Sequence, residues 1–72
     1  DAAGEFEDDR ARIQPGDMSL LIVDNDAGFV RFLRDLARQH NFKTLITAQG
    51  SVAVSLAQEY KPTALTLDLR LT

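Results

Sequence analysis

The chain between residues 20 and 26 reads Leu20-Leu21-Ile22-Val23-Asp24-Asn25-Asp26, so four apolar residues are followed at once by two carboxylates and an amide. An unbroken apolar run of this length is typical of a strand that is buried on both faces of a parallel sheet. A short buried helix has a similar pattern, but β-branched Ile22 and Val23 and the abrupt polar end favour a strand. Side chains just beyond the carboxyl end of such a strand lie where open α/β sheets bind ligands.

Two interpretations of Asp24 and Asp26 follow from this placement. Neighbouring carboxylates repel each other unless a cation joins them, which favours a cation site at the end of the strand. Alternatively, Asp24 only ends the strand, and Asp26 begins the next helix, because aspartate is a preferred N-cap residue. The stretch by itself leaves both interpretations open.

The length and composition of the chain restrict what kind of protein it is. Its 72 residues suffice for one small domain, and none of them is cysteine, so disulfides and thiolate-bound metals are excluded. No apolar run approaches the length of a membrane span, and no signal-peptide pattern opens the chain. We therefore expect a cytoplasmic protein with no membrane segment.

The acidic residues are concentrated at the start of the chain. Residues 1–18 carry six acids and two bases, a net charge of -4, whereas residues 19–72 carry five acids and six bases, a net charge of +1. The latter part has no basic excess that would indicate nucleic-acid binding. Residues 1–18 lack any periodicity and are predicted to be a tag and a flexible, solvated linker, with the first six resembling a cloning scar.

Strands and helices alternate after residue 18. Asp26 is placed to cap a helix over residues 27–40, a second strand covers residues 43–47, a second helix follows Ser51, and a third strand covers residues 63–67. This β-α-β-α-β order predicts an α/β fold with parallel strands and right-handed crossovers. The first helix should face the core with the apolar residues and the histidine that recur every three or four positions, namely Phe29, Phe32, Leu33, Leu36, Ala37 and His40.

A second carboxylate, Asp68, follows the third strand as Asp24 follows the first. The carboxyl ends of parallel strands meet at one edge, so the two side chains are expected to lie close together if these strands are neighbours. Oxygen ligands that carry more than one negative charge suit Mg²⁺. Carboxylates also serve as nucleophiles that form aspartyl-phosphates. The simpler alternative is that Asp68 only ends a strand in a turn.

Residues 19–72 resemble the first three βα units of a response-regulator receiver domain. The resemblance lies in Val23-Asp24-Asn25-Asp26, in Ala48-Gln49-Gly50-Ser51-Val52-Ala53, and in Lys61-Pro62 leading to Leu65-Thr66-Leu67-Asp68-Leu69-Arg70-Leu71. The sequence around Asp68 is similar to receivers fused to hybrid sensor histidine kinases. The resemblance implies a flavodoxin-like doubly wound parallel sheet with strand order 2-1-3-4-5, of which only the β-α-β-α-β half is present.

The resemblance also implies a role for each residue at the strand ends. Asp68 would accept a phosphoryl group from a phosphohistidine on a histidine kinase or a phosphotransfer domain. Asp24, Asn25, Asp68 and the main-chain carbonyl of Arg70 would hold Mg²⁺. Asn25 stands where the family usually has an aspartate, so we expect weaker Mg²⁺ binding. The chain would be a signalling phosphoacceptor rather than an enzyme, although a hybrid parent would also carry a kinase.

Receiver domains have two further βα units, which supply a hydroxyl residue, a lysine and an aromatic switch residue. None of these can be located in the 72 residues, so we expect a partial receiver domain over residues 19–72. The third strand would then have an open edge. Such an edge favours pairing with a second copy of the chain or with the C-terminal half of the domain in a parent protein.

Two other functions are compatible with the same residues. The Asp-x-Asp pattern of Asp24 and Asp26 also resembles the nucleophile motif of haloacid-dehalogenase-type phosphohydrolases, although Ala27-Gly28-Phe29 departs from what usually follows it. A hydrolase would turn over p-nitrophenyl phosphate, whereas a receiver would not. The second alternative is a receiver-like docking module that is not phosphorylated, which Asn25 and the missing units support.

Overall fold

The computed structural model describes residues 7–70. In this part of the chain the elements are a 3-10 helix (Arg10–Arg12), three strands, β1 (Ser19–Val23), β2 (Lys43–Thr47) and β3 (Ala64–Leu67), and two helices, α1 (Ala27–Gln39) and α2 (Gly50–Tyr60). The strands form one parallel sheet in the order β2-β1-β3. The predicted α/β class and β-α-β-α-β order are confirmed, and the arrangement is consistent with half of a flavodoxin-like sheet.

The central strand β1 is buried on both faces, as its continuous apolar sequence predicts. Leu21, Ile22 and Val23 are fully buried. Leu21 and Val23 pack with Leu56 of α2, whereas Ile22 packs with Val30 of α1 on the opposite face. Burying an aliphatic side chain of this size contributes about 1.5–3 kcal/mol. The two helices therefore hold β1 from both sides and fix the direction in which its end points.

The ends of α1 are set by the side chain of Asp26 and the backbone conformation of Asn41. The Asp26 carboxylate accepts a hydrogen bond from the backbone N–H of Phe29 at 3.2 Å, which confirms the predicted N-cap. Asn41 has a φ of 66°, the left-handed conformation that stops a helix. The second helix begins at Gly50 after Gln49, not after Ser51 as predicted, and its N-cap residue makes no side-chain hydrogen bond.

The inward face of α1 agrees only in part with the predicted one, since Ala37 is buried and Leu33 packs partly buried against the core, as predicted. The structure buries Val30 and Ala37, whereas Phe29, Phe32 and Leu36 are 44%, 62% and 39% exposed. The expectation that Phe29 and Phe32 belong to the core is therefore wrong. Val30 and Ala37 lie two turns apart on the face of α1 that meets the sheet. The larger side chains of Phe29, Phe32 and Leu36 lie beside this face and are therefore directed past the sheet toward solvent.

Part of the segment 7–18, which the sequence predicts to be a flexible, solvated linker, packs against β2 in the structure. Asp9 is 3% exposed. Its N–H donates to the Thr44 carbonyl at 2.7 Å, and its carboxylate accepts from the Thr44 N–H at 2.8 Å. The Asp8 carboxylate accepts from the Ile46 N–H at 3.0 Å. The segment thus satisfies backbone groups along the outer edge of β2, which would otherwise be an unpaired strand edge.

The opposite edge of the sheet has no such cover within residues 7–70. The third strand pairs with β1 on one side only. Leu65 and Leu67 are 54% and 53% exposed and line an apolar groove against Ala53 and Val54 of α2. An unpaired strand edge beside exposed apolar side chains is a ready template for association.

We propose that the isolated 72-residue chain associates with a second copy through β3. Light scattering should give a mass above the 8.0 kDa of the monomer. Leu65→Lys should shift the chain toward monomer, because it places a charge in the exposed apolar groove. Phe32→Lys, which changes a similarly exposed residue on α1, is the control and should leave the mass unchanged. A monodisperse wild-type monomer that unfolds cooperatively would contradict the proposal.

Candidate functional site at the carboxyl edge of the sheet

Asp24 and Asp68 lie at the carboxyl ends of neighbouring parallel strands. The N–H of Asp24 donates to the Thr47 carbonyl at 3.1 Å, and the N–H of Asp68 donates to the Val23 carbonyl at 2.9 Å. These bonds continue the sheet up to both carboxylates. The prediction that the first and third strands are neighbours is confirmed, and it places both acids at one edge of the sheet.

Asp24 is held in a fixed orientation by the turn that follows β1. It is 7% exposed, and its Oδ1 accepts a hydrogen bond from the N–H of Asp26 at 2.9 Å. This bond uses one of the two carboxylate oxygens. Asp26 is exposed and caps α1, as the simpler interpretation of the sequence states.

Asp68 is paired closely with Arg70. The Arg70 Nε lies 2.9 Å from Oδ1, its Nη2 lies 3.0 Å from Oδ2, and its backbone N–H donates to Oδ1 at 2.9 Å. The side chain of Asp68 is 8% exposed, whereas that of Arg70 is 78% exposed. The carboxylate therefore lies in the edge of the sheet and the guanidinium covers it from the solvent side.

This pairing also sets the charge of the site. The hydrogen bonds from the Arg70 side chain and then its backbone lower the pKa of Asp68. Asp68 is therefore ionised at neutral pH. The pKa of Arg70 is raised mainly by its hydrogen bond to Asp68, and the charges of Asp24 and Asp26 act in the same direction. The guanidinium thus experiences the attraction of three carboxylates.

The carboxyl edge of the sheet carries oxygen ligands of the kind that suits a hard divalent cation, but only two of them are charged. Carboxylate oxygens from Asp24 and Asp68 and the amide oxygen of Asn25 are the kind of ligand that Mg²⁺ binds. Asn25 follows Asp24 directly and is exposed, but its role as a ligand stays a prediction. Between residues 7 and 70 no group of three or more His, Cys, Asp or Glu side chains forms a metal-binding cluster.

Sequence reasoning missed the side chain of Arg70, for which the receiver resemblance implies only a main-chain carbonyl as metal ligand. The sequence does contain an indication of this pair, because an arginine two residues beyond a strand-end aspartate can turn back onto its carboxylate. Apolar periodicity gives no information on such a pair. The pair is recognised only when the exposure of both side chains is known.

A second polar cluster lies at the opposite end of β2 and has a structural role. Asp9 binds Arg12 and Arg38, and Lys43 lies 3.4 Å from Asp17. These basic side chains line a shallow pocket together with Asp9. Arg12 and Arg38 share the carboxylate of Asp9, and Lys43 pairs with Asp17, so three cations and two carboxylates leave this cluster a net charge of +1.

The fold and the site together define an α/β parallel-sheet protein with an acidic carboxyl edge. No family profile, curated protein or solved structure matches the chain. Within residues 7–70, neither helix is long and apolar enough to cross a membrane.

Proposed function

We propose that residues 19–72 are the phosphoacceptor part of a receiver domain in a two-component signalling system, with Asp68 as the phosphorylated residue. The observation that carries the proposal is that Asp68 and Asp24 end neighbouring parallel strands. The open end of a parallel sheet is where such folds bind ligands, and a carboxylate at that end can act as the nucleophile toward a phosphoryl donor, while the helices exclude water from the strands beneath it.

The proposed reaction transfers a phosphoryl group from a phosphohistidine to Asp68. A carboxylate oxygen of Asp68 attacks phosphorus in line with the bond to the imidazole nitrogen. The P–O bond forms as the P–N bond breaks, and the electron pair remains on the imidazole, which then takes a proton from solvent. The partner is a histidine kinase or a phosphotransfer domain that presents this phosphohistidine.

Asp24, Asn25, Asp68 and the carbonyl of Arg70 would hold Mg²⁺ in this proposal. The ion would neutralise charge on the phosphoryl oxygens. Asp24 contributes the buried charge, and its hydrogen bond from the Asp26 N–H keeps it oriented. The proposed parent is a hybrid sensor histidine kinase that presents these residues in the cytoplasm.

The experiment that tests the function is labelling of the full-length protein with acetyl phosphate, followed by identification of the modified residue by mass spectrometry. We expect one phosphoryl group, bound to Asp68. Label on a different carboxylate, or none at all, would contradict the assignment.

A docking module that is not phosphorylated is the second candidate. It is favoured by the Arg70 pair, which occupies both oxygens of Asp68, and by the neutral Asn25. A protein that binds its kinase but takes no label would support this candidate. The phosphohydrolase alternative would use Asp24 as its nucleophile, and turnover of p-nitrophenyl phosphate would support it.

Asn25→Asp should tighten Mg²⁺ binding in the full-length protein. A carboxylate adds a negative charge where the amide has none, and hard cations favour charged oxygen ligands. We expect roughly a tenfold gain in affinity, which corresponds to about 1.4 kcal/mol. The measurement is a Mg²⁺ titration by calorimetry, with Gln49→Glu as the control that adds the same charge in the loop after β2. Equal or weaker affinity of Asn25→Asp would show that residue 25 does not face the ion.

A further inference from the structure

The Arg70 side chain occupies the atoms of Asp68 that the proposed function requires. Two guanidinium nitrogens reach the two carboxylate oxygens at 2.9 and 3.0 Å, in the bidentate geometry that is the strongest form of an arginine–carboxylate pair. The Arg70 N–H adds a third hydrogen bond to the same carboxylate at 2.9 Å. A divalent cation or a phosphoryl donor would approach these same oxygens.

The positive charge of the Arg70 guanidinium opposes the binding of a second cation at this edge. Asp24 and Asp26 attract Arg70 in addition to its partner Asp68. A divalent cation that bound Asp24 and Asp68 would lie beside the guanidinium, and the two positive charges would repel each other. A carboxylate has lone pairs for further partners, so shape alone does not exclude the ion. Arg70 therefore opposes the binding of the ion mainly by electrostatic repulsion.

The exposure of the pair indicates that it is reversible. The Arg70 side chain is 78% exposed, so water can hydrate its guanidinium when the pair opens. A divalent cation that takes its place at Asp68 gives the carboxylate a new positive partner. The short tether keeps it close enough to return, since Arg70 follows Asp68 by two residues.

We propose that the Arg70 side chain is a tethered cation that competes with a divalent ion for Asp68 and covers this carboxylate when no ion is bound. Its consequence for signalling rests on the proposed function, whereas the competition itself does not. Binding of the ion and exposure of the phosphoacceptor are then coupled events. Arg70 acts as a positioning residue, because it controls access to Asp68 and takes no part in bond formation.

The test is a Mg²⁺ titration of the 72-residue chain followed by NMR through the amide resonances of Asn25 and Asp68. Arg70→Met removes the charge and keeps an apolar stem of similar length. We expect it to lower the apparent Kd about fivefold, the upper range for exposed ion pairs. Arg70→Lys, which keeps the charge but loses the bidentate geometry, should fall between Arg70→Met and the wild type.

Arg31→Met is the matched control, because it makes the same substitution and the same change of net charge at an exposed position on α1. We expect its Kd to equal that of the wild type. Equal affinity of the wild type and Arg70→Met would overturn the proposal, as would the absence of Mg²⁺ binding in both. Tighter binding by Arg70→Met without phosphoryl label on Asp68 would support the competition and contradict the proposed function, so the two failures are distinguishable.

Discussion

Asp68→Asn should abolish phosphoryl labelling of the full-length protein by acetyl phosphate or by a phosphohistidine donor. The substitution keeps the size of the side chain and leaves an oxygen that can still accept the Arg70 N–H bond. It removes the negative charge of the attacking oxygen, which is the property that makes the carboxylate a nucleophile. We expect label below one hundredth of the wild-type level, because a loss of about 2.7 kcal/mol in transition-state stabilisation already accounts for a factor of one hundred.

Asp26→Asn is the matched control for this experiment. It makes the same chemical change at the same edge of the sheet, and asparagine caps a helix about as well as aspartate does. Labelling of Asp26→Asn should therefore stay near the wild-type level, and α1 should keep its helical signal in circular dichroism. Undiminished label in Asp68→Asn would show that another residue is the phosphoacceptor.

The parts of this fold that could be predicted from the sequence are those governed by local rules. The continuous apolar run before Asp24 predicts a central strand, and the structure confirms that both faces of β1 are buried. The Asp26 cap and the left-handed Asn41 are set by single residues with strong preferences. Parallel pairing then brings Asp24 and Asp68 to one edge without further information.

The parts that could not be predicted depend on contacts between distant residues. The face of α1 that meets the sheet depends on how a three-stranded sheet lies beneath the helix. As a result Val30 lies in the core, whereas Phe29 and Phe32, which were expected there, are exposed. The docking of residues 7–18 depends on unpaired N–H groups of β2, which leave no trace in apolar periodicity. Acidic residues before the first strand look solvated in a sequence, whereas Asp9 binds the backbone of Thr44.

Asp9→Ala should destabilise the protein by about 3 kcal/mol, because it breaks a buried, hydrogen-bonded charge cluster. The Asp9 carboxylate accepts from the Thr44 N–H at 2.8 Å, from the Thr44 hydroxyl at 3.1 Å and from Arg38 at 3.0 Å, and it also binds Arg12. Its removal leaves the Thr44 N–H at a buried position without a partner. Asp35→Ala, which breaks the pair between Arg34 and the 60% exposed side chain of Asp35, is the control and should cost about 1 kcal/mol or less.

The same cluster predicts how stability depends on pH. Burial alone raises the pKa of Asp9, but the hydrogen bonds from the Thr44 N–H, Arg38, the Thr44 hydroxyl and Arg12 outweigh it and lower the pKa to about 2. Because the folded pKa lies below the unfolded one, the stabilisation is fully present above about pH 4 and is lost as the pH falls toward 2. A shift of this size corresponds to about 2 kcal/mol.

Urea unfolding measures both the destabilisation by Asp9→Ala and its dependence on pH. The protein concentration must be the same throughout, because any self-association makes stability depend on concentration. At pH 7 the free energy of unfolding of Asp9→Ala should lie well below that of the wild type. The difference should shrink by about 2 kcal/mol between pH 5 and pH 2, because protonation removes from the wild type the charge that the variant already lacks. A difference that stays constant with pH would show that the Asp9 carboxylate does not hold residues 7–18 against β2 through its charge.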